Sequence, residues 1–321
     1  MTFWRCIEGG MYRLDRTMCR MRCVFCPTSA APPELDPQAV TGLPTQLVLE
    51  ELEQILAAAP ADLKIQLTAD DLTTFDGFLG ILDAYRRHGR RFELDTPGLR
   101  LADEGFAAAV SKYDVYLTVS CQAASDEVYT AMTGNPRAFE LVRAALTNLI
   151  RFQVPFGVNY VITAINCGSL FDIARFLLLE MGLPTFTLAH FYPEQFLLDL
   201  KPDAWDLLPS YAEVDKQLAR IGALCTATDK RVQVFDVAPC QLRSRVVMNP
   251  RLLLGFVHGP RFEADSPTAR YRSPECGRCV LTDQCATVSQ RYIEQNPQMR
   301  FDAARVKRDL ALRQQLLPPK W

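Results

Sequence analysis

The segment Met11-Tyr12-Arg13-Leu14-Asp15-Arg16-Thr17-Met18-Cys19-Arg20-Met21-Arg22-Cys23-Val24-Phe25-Cys26 passes from a candidate strand, Met11 to Arg16, into a loop with three thiols within eight residues. Beyond it the chain alternates short β-branched or aromatic runs with longer amphipathic stretches. This is the βαβα pattern of an α/β fold, a parallel sheet with helices outside it. Strands are predicted at Met11 to Arg16, Leu63 to Thr68, Arg91 to Asp95, Val115 to Ser120, Phe156 to Thr163 and Thr185 to His190. Between them, Gln46 to Ala59 sets Leu49, Leu52, Ile55, Leu56 and Ala59 three and four residues apart, as one buried helical face requires. Phe75 to Arg87, Arg137 to Arg151, Ser169 to Glu180 and Tyr211 to Leu224 read the same way. Turns punctuate Asp95-Thr96-Pro97-Gly98, Thr133-Gly134-Asn135-Pro136 and Met181-Gly182-Leu183-Pro184.

After Asp229 the pattern changes to short predicted strands, Val232 to Phe235, Val246 to Met248 and Leu252 to Val257. A cysteine-rich loop and a charged helix from Gln298 to Leu316 follow. Two domains are therefore expected, 1–228 and 229–321, the second a small α+β unit. The stretch Tyr192 to Pro209, with three prolines and no strand pattern, is expected to be a lid or linker.

Composition narrows the function classes. With 321 residues, 49% of them hydrophobic, the chain can bury a full core, which excludes a disordered or fibrous protein. Lys and Arg number 35 against 37 Asp and Glu, so no general positive field attracts a phosphate backbone, and nucleic acid is not an expected partner. The apolar runs fall short of the roughly 18 residues of a membrane span. The N-terminus lacks the apolar core of a secretion signal, so a cytoplasmic protein without a membrane partner is expected. Eleven cysteines in such a protein do not form a disulfide framework, and the clustered ones are expected to bind metal or act in redox chemistry.

Cys19, Cys23 and Cys26 form the first cluster. A structural zinc site is four-coordinate and closed, and the nearest further ligands here are His88 or a distant cysteine. Three thiolates suit a [4Fe-4S] cluster with one iron left open to chelate a substrate or cofactor. A zinc knuckle or three free thiols are the alternatives.

With its Cys-x3-Cys-x2-Cys spacing and the aromatic Phe25 just before the third cysteine, the sequence resembles the radical S-adenosylmethionine (SAM) superfamily over roughly residues 10 to 225. The resemblance implies a partial (βα)6 TIM barrel in which the amine and carboxylate of SAM bind the open iron. One electron from the reduced cluster then cleaves the sulfonium to a 5′-deoxyadenosyl radical. Where the family has Gly-Gly-Glu-Pro, which contacts the SAM amino group, this chain reads Thr68-Ala69-Asp70-Asp71. Asp70 keeps an acidic acceptor for an ammonium, although both glycines are replaced and the backbone approach they allow is lost. Thr96-Pro97-Gly98 resembles the family's Thr-Asn-Gly, Ser120 matches a serine that often ends strand four, and Asn166 resembles an asparagine near the SAM ribose and carboxylate. Ala69, Asp70, Thr96, Ser120, Asn166 and Phe25 are thus the implied cofactor contacts.

The second cluster is Cys276-Gly277-Arg278-Cys279-Val280-Leu281-Thr282-Asp283-Gln284-Cys285, with Cys240 upstream. Four such ligands bind zinc or an iron-sulfur cluster, and spacing alone does not separate the two. The segment resembles the SPASM/Twitch extensions of radical SAM enzymes. Full SPASM domains carry a further cysteine where Ser289 stands, so the resemblance implies one Twitch-like auxiliary [4Fe-4S] cluster on Cys240, Cys276, Cys279 and Cys285.

Cys121 and Cys167 end predicted strands four and five, where a thiol is placed to donate hydrogen to a substrate radical; a small buried apolar side chain is the competing role. His190 and Tyr192 follow strand six as possible substrate or adenine contacts. The expected activity is a radical SAM oxidation or rearrangement of a natural product or other small molecule, fed by a reductant such as a flavodoxin or ferredoxin. With few residues ahead of the triad, neither an N-terminal peptide-recognition domain nor a cobalamin-binding domain is expected. Maturation of a ribosomally made peptide is the alternative substrate class, and a zinc-binding interaction protein the alternative of another kind. Anaerobic reconstitution is expected to give about eight irons per chain, falling to about four when Cys19, Cys23 and Cys26 are all replaced by alanine, as two four-iron clusters require. Zinc in place of iron would refute the assignment.

Overall fold

A computed structural model describes residues 2–14, 19–26, 43–193, 195–244, 246–255, 270–271, 273–285, 288–297 and 299–316. Contacts divide the chain into two compact units, one of residues 1–23, 31–121 and 125–158, the other of 24–30, 122–124 and 159–321.

In the first unit, β1 (Trp4–Glu8) and β2 (Met11–Leu14) form an antiparallel hairpin with Trp4 opposite Leu14. Helix α1 (Thr45–Ala58) crosses over to β3 (Gln66–Thr68), which pairs parallel to β2. The buried face of α1 is Val48, Leu52 and Leu56, with Leu49 and Ile55 half-exposed, so the apolar stripe is rotated from its expected position. Helix α2 (Phe78–Arg87) starts three residues later than predicted because a 3₁₀ turn, Leu72–Thr74, precedes it. Strand β4 (Phe92–Thr96), helix α3 (Glu104–Val110), strand β5 (Val115–Ser120) and helices α4 (Asp126–Thr133) and α5 (Ala138–Arg151) follow. Strands β4 and β5 are parallel, Phe92 opposite Val115. Two helices not anticipated from periodicity carry legible caps. Asp103 accepts from Phe106 N–H at 2.6 Å and Ser125 from Val128 N–H at 3.4 Å.

Strand β6 (Phe156–Ile162) leads to helix α6 (Leu170–Arg175), which runs on as a π turn through Glu180, so the predicted helix is present with its last turn widened. In the second unit come β7 (Thr187–His190), α7 (Gln195–Leu200), α8 (Tyr211–Thr228), β8 (Val232–Phe235) and β9 (Leu252–Gly255). The two-residue strands β10 (Arg270–Tyr271) and β11 (Val288–Ser289) pair antiparallel, and α9 (Gln290–Gln295) and α10 (Ala303–Leu316) complete the described elements. The expected lid or linker holds α7 and a 3₁₀ turn, Pro202–Leu207.

The main sheet has six strands in the order β4-β5-β6-β7-β8-β9, an α/β arrangement matching a partial TIM barrel. Strands β6 to β9 run parallel, with Asn159, Thr187, Gln233 and Leu253 in one row across them. Strands β8 and β9 therefore continue this sheet beyond residue 228, where a separate domain was expected to begin. Val246–Met248, predicted as a strand, is a 3₁₀ turn closed by Asn249 N–H to Val246 C=O at 3.1 Å. Val246 and Val247 are buried, so their β-branching here serves packing and not pairing. Asp15, Arg16, Phe256, Val257 and Gln298, at the ends of predicted elements, lie outside the described residues.

Burial alternates along these parallel strands. Phe92, Leu94, Val115, Leu117 and Val119 in the first unit, and Val158, Leu188, Val232 and Val234, are buried. The residues between them, Glu93, Asp95, Thr118 and Ser120, and Asn159, Thr187 and Gln233, are polar and partly accessible. A parallel sheet covered by helices on both faces reads as continuous apolar runs. The alternation here leaves the second face with these polar side chains beside Tyr116, Val161, Ala189 and Phe235.

Gly98, at φ 77°, turns the chain after β4, and a Cβ there would stand 2.9 Å from Val119 Cγ1. Gly134, at φ 65°, ends α4, where a Cβ would meet Arg22 Cβ at an ordinary 3.4 Å. Gly134→Ala is expected to cost only the left-handed backbone penalty of about 1–2 kcal/mol. Gly98→Ala should cost clearly more, because the buried Val119 must also move. Urea denaturation of both variants measures the difference, and equal losses would refute it.

Candidate functional site

Cys19, Cys23 and Cys26 are all half-exposed, whereas Cys121, Cys167 and Cys225 are buried. Unligated cysteine is commonly a buried small hydrophobe, so three accessible thiols in eight residues are placed for chemistry. Cys19 Sγ accepts from Met21 N–H at 3.4 Å. The loop is anchored at the turn Thr133-Gly134-Asn135-Pro136, where Arg22 N–H donates to Thr133 C=O at 2.6 Å and Asn135 Nδ2 to Arg20 C=O at 3.2 Å. Sequence reading found this turn without its partner. The Phe25 ring packs against Phe191, centroids 6.4 Å apart.

After β3, the two adjacent acids have different fates. Asp70, a quarter exposed at the end of the Thr68-Ala69-Asp70 segment, is ion-paired with Arg13 of β2. Asp71 is buried, and its Oδ1 accepts from Thr73 N–H at 3.2 Å, Thr73 Oγ1 at 2.7 Å and Thr96 Oγ1 at 3.1 Å. Burial pushes the Asp71 carboxyl above the ordinary range against the lowering effect of these bonds and of Arg100. Thr96 Oγ1 also receives Gly98 N–H at 3.0 Å, so Thr96 serves the brace between two loops. Sequence reading singled out Asp70 and Thr96 but not Asp71, whose importance lies in tertiary partners.

In the second unit Asn166 is fully buried and its amide is saturated. Nδ2 donates to Gln122 C=O at 3.1 Å and Val161 C=O at 2.9 Å, while Oδ1 accepts from Thr163 N–H at 2.8 Å and Thr163 Oγ1 at 3.1 Å. An amide offers two donors and two acceptor positions. Asn166 therefore holds the turn after β6 and has no hydrogen-bonding capacity left for a ligand. Gln122 ties the same turn by accepting from Val161 N–H at 3.0 Å. Ser120 stays half-buried at the end of β5, its carbonyl receiving the Tyr129 hydroxyl at 3.1 Å. Cys121 beyond it is fully buried. His190 stacks on Tyr211 at 5.1 Å and its Nδ1–H donates to Phe191 C=O at 2.8 Å. The Tyr192 and Tyr211 hydroxyls are 2.8 Å apart.

Cys240, Cys276, Cys279 and Cys285 line one cavity, closed by Leu281, Phe301 and Val306. Tight turns bring them in, with Cys279 N–H bonded to Cys276 C=O at 3.0 Å and Cys285 N–H to Leu281 C=O at 2.8 Å. Burial pushes the Cys240 thiol up to about 12. A zinc ion bound at about 2.3 Å needs its sulfurs within about 4 Å of one another. Among the described residues no three His, Cys, Asp or Glu side chains are gathered for a single ion. Four cysteines bordering one space are the ligand type that zinc and iron-sulfur clusters share. No described helix is long and apolar enough to cross a membrane.

No curated protein sequence matches the chain. Among solved structures, SuiB of Streptococcus suis bound to S-adenosylmethionine aligns with a TM-score of 0.51 at 13% identity, covering 86% of this chain and 72% of SuiB. Native anSMEcpe with bound AdoMet aligns with a TM-score of 0.50 at 17% identity over 68% of this chain. The chain spans 60% of the length of anSMEcpe. At these identities the likeness is one of fold. Residues 17–175, which include the cysteine triad and strands β3 to β6, match the Radical SAM superfamily. Through that segment the chain belongs to the radical SAM superfamily.

Proposed function

We propose that the protein is a radical SAM enzyme that abstracts hydrogen from a small polar molecule, with an auxiliary [4Fe-4S] cluster on Cys240, Cys276, Cys279 and Cys285. The observation carrying this reading is the half-exposed triad Cys19, Cys23 and Cys26 inside the segment that matches the superfamily. SAM bound in two proteins of like fold supports it. The three-cysteine cluster and SAM, when bound, supply a 5′-deoxyadenosyl radical, and the electron comes from a carrier such as a flavodoxin or ferredoxin. The chain's own residues position and shield that chemistry.

Asp70 offers a carboxylate oxygen to the ammonium of SAM, with Arg13 setting its direction and Ala69 beside it. Asp71 and Thr96 brace the loop that presents it, and Thr133 and Asn135 hold the cysteine loop. Ser120 contributes at the end of β5, while Asn166 acts by fixing the turn after β6 and not by touching the cofactor. The polar residues on the accessible faces of the strands favour a hydrophilic substrate over a greasy one, because an apolar ligand would strip them of water without replacing its hydrogen bonds.

Cys23→Ala is expected to abolish 5′-deoxyadenosine formation in the presence of dithionite and SAM, and persistence of reductive cleavage would refute the site. Cys279→Ala should still cleave SAM while losing substrate turnover. Asp70→Asn should weaken SAM binding about tenfold or more, the worth of a charge-assisted hydrogen bond of about 1.5–3 kcal/mol. Equilibrium dialysis of the reconstituted protein tests this, and unchanged affinity would move the ammonium contact elsewhere.

A further inference from the structure

The four-cysteine cavity is surrounded by donors that ligation alone does not call for. Gln241, 7% exposed, follows Cys240 on a 3₁₀ turn. Its Nε2 donates to Cys240 Sγ at 3.4 Å and to Arg300 C=O at 3.1 Å. With both amide hydrogens assigned, the group is held in one orientation, pointing a donor at the sulfur. On the other arm of the cavity, buried Ser273 has its hydroxyl 3.6 Å from Cys276 Sγ. Once Cys276 is a thiolate it has no proton to give, so Ser273 must be the donor.

The Cys240 turn is itself clamped. Arg305 of α10 donates to the carbonyl oxygens of Cys240 at 2.8 Å, Leu242 at 2.5 Å and Pro239 at 3.4 Å. Asp309 lies 3.3 Å from the same guanidinium. The guanidinium thus fixes the backbone from which both Cys240 and Gln241 project.

Thiolate sulfurs gain electron density when an iron-sulfur cluster is reduced. N–H and O–H groups aimed at them stabilise the reduced form more than the oxidised one, and so raise the reduction potential. We propose that Gln241 and Ser273 are positioning residues that set the potential of an auxiliary cluster in this cavity, Gln241 through Cys240 and Ser273 through Cys276. This inference rests on the ligation proposed above, and its test is built so that the two can fail separately.

The full chain with Cys19→Ala, Cys23→Ala and Cys26→Ala, reconstituted anaerobically, isolates the C-terminal cavity. Its midpoint potential is read by electron paramagnetic resonance during a dithionite titration. Gln241→Leu, which removes the donor, is expected to shift the midpoint to more negative values. Gln241→Glu, which keeps the shape but brings a negative charge towards the sulfur, should shift it further the same way. Ser273→Ala, on a different turn, should give a shift of the same sign. About four irons per chain with an unchanged midpoint in the Gln241 and Ser273 variants would overturn the proposal while leaving the cluster in place. Absence of iron from the parent triple variant would overturn the ligation itself, and the potential-setting role with it. Should Gln241→Leu fail to retain iron, the Ser273→Ala midpoint decides the matter alone.

Discussion

Asp71 is the constraint around which the loops after β3 and β4 are organised. A carboxyl taken out of water loses far more on ionising than a neutral group does, and the donors that converge on Asp71 Oδ1 offset that loss only in part, so its pKa stays raised. Thr73 supplies two donors from the turn after β3 and Thr96 one from the end of β4. Arg100 adds its cation and binds the Thr73 carbonyl. The positions of Asp70 and of the Thr96-Pro97-Gly98 turn follow from this arrangement. If the brace failed, two loops that meet at one carboxylate would separate together.

The second unit meets the same requirement with neutral groups. Asn166 spends both donors and both acceptor positions on the turn after β6, with Gln122 tying the adjoining backbone. Buried polar networks of this sort are worth having only when every member is satisfied, because the low local dielectric magnifies any omission. The turns after β3, β4 and β6 are thereby seated on rigid polar frames. Precise placement of reacting groups depends on such frames more than on the loops themselves.

Much of the frame was legible because the physics behind it is local. Val115 to Ser120 alternates apolar and polar side chains and is a strand over those residues. Thiol spacing in the triad needs no tertiary information. What escaped the sequence depended on remote partners. Asp70 and Asp71 are chemically equivalent in the chain, and their partners, among them Arg13 on β2 for Asp70 and Thr96 on β4 for Asp71, distinguish them. Val246 to Met248 looks like a strand because β-branched residues suit both sheets and tight buried turns. Asn166 looks like a ligand-binding amide until its four hydrogen bonds are counted. Strand β1 is disguised because Arg5, Cys6 and Ile7 are all exposed, so no period-two alternation marks it.

The clamp of Arg305 on the Cys240 turn joins residues 65 positions apart. A chain leaving the ribosome folds from its N-terminal side as residues emerge. The anchor of the first cysteine loop therefore becomes available at Thr133 and Asn135, well before the guanidinium that secures the second site has been synthesised. During that interval the later cysteines exist as untethered thiols on an incompletely folded segment. Assembly then acquires a direction: the partners of the first cysteine loop are complete at Asn135, whereas the Cys240 turn waits for Arg305.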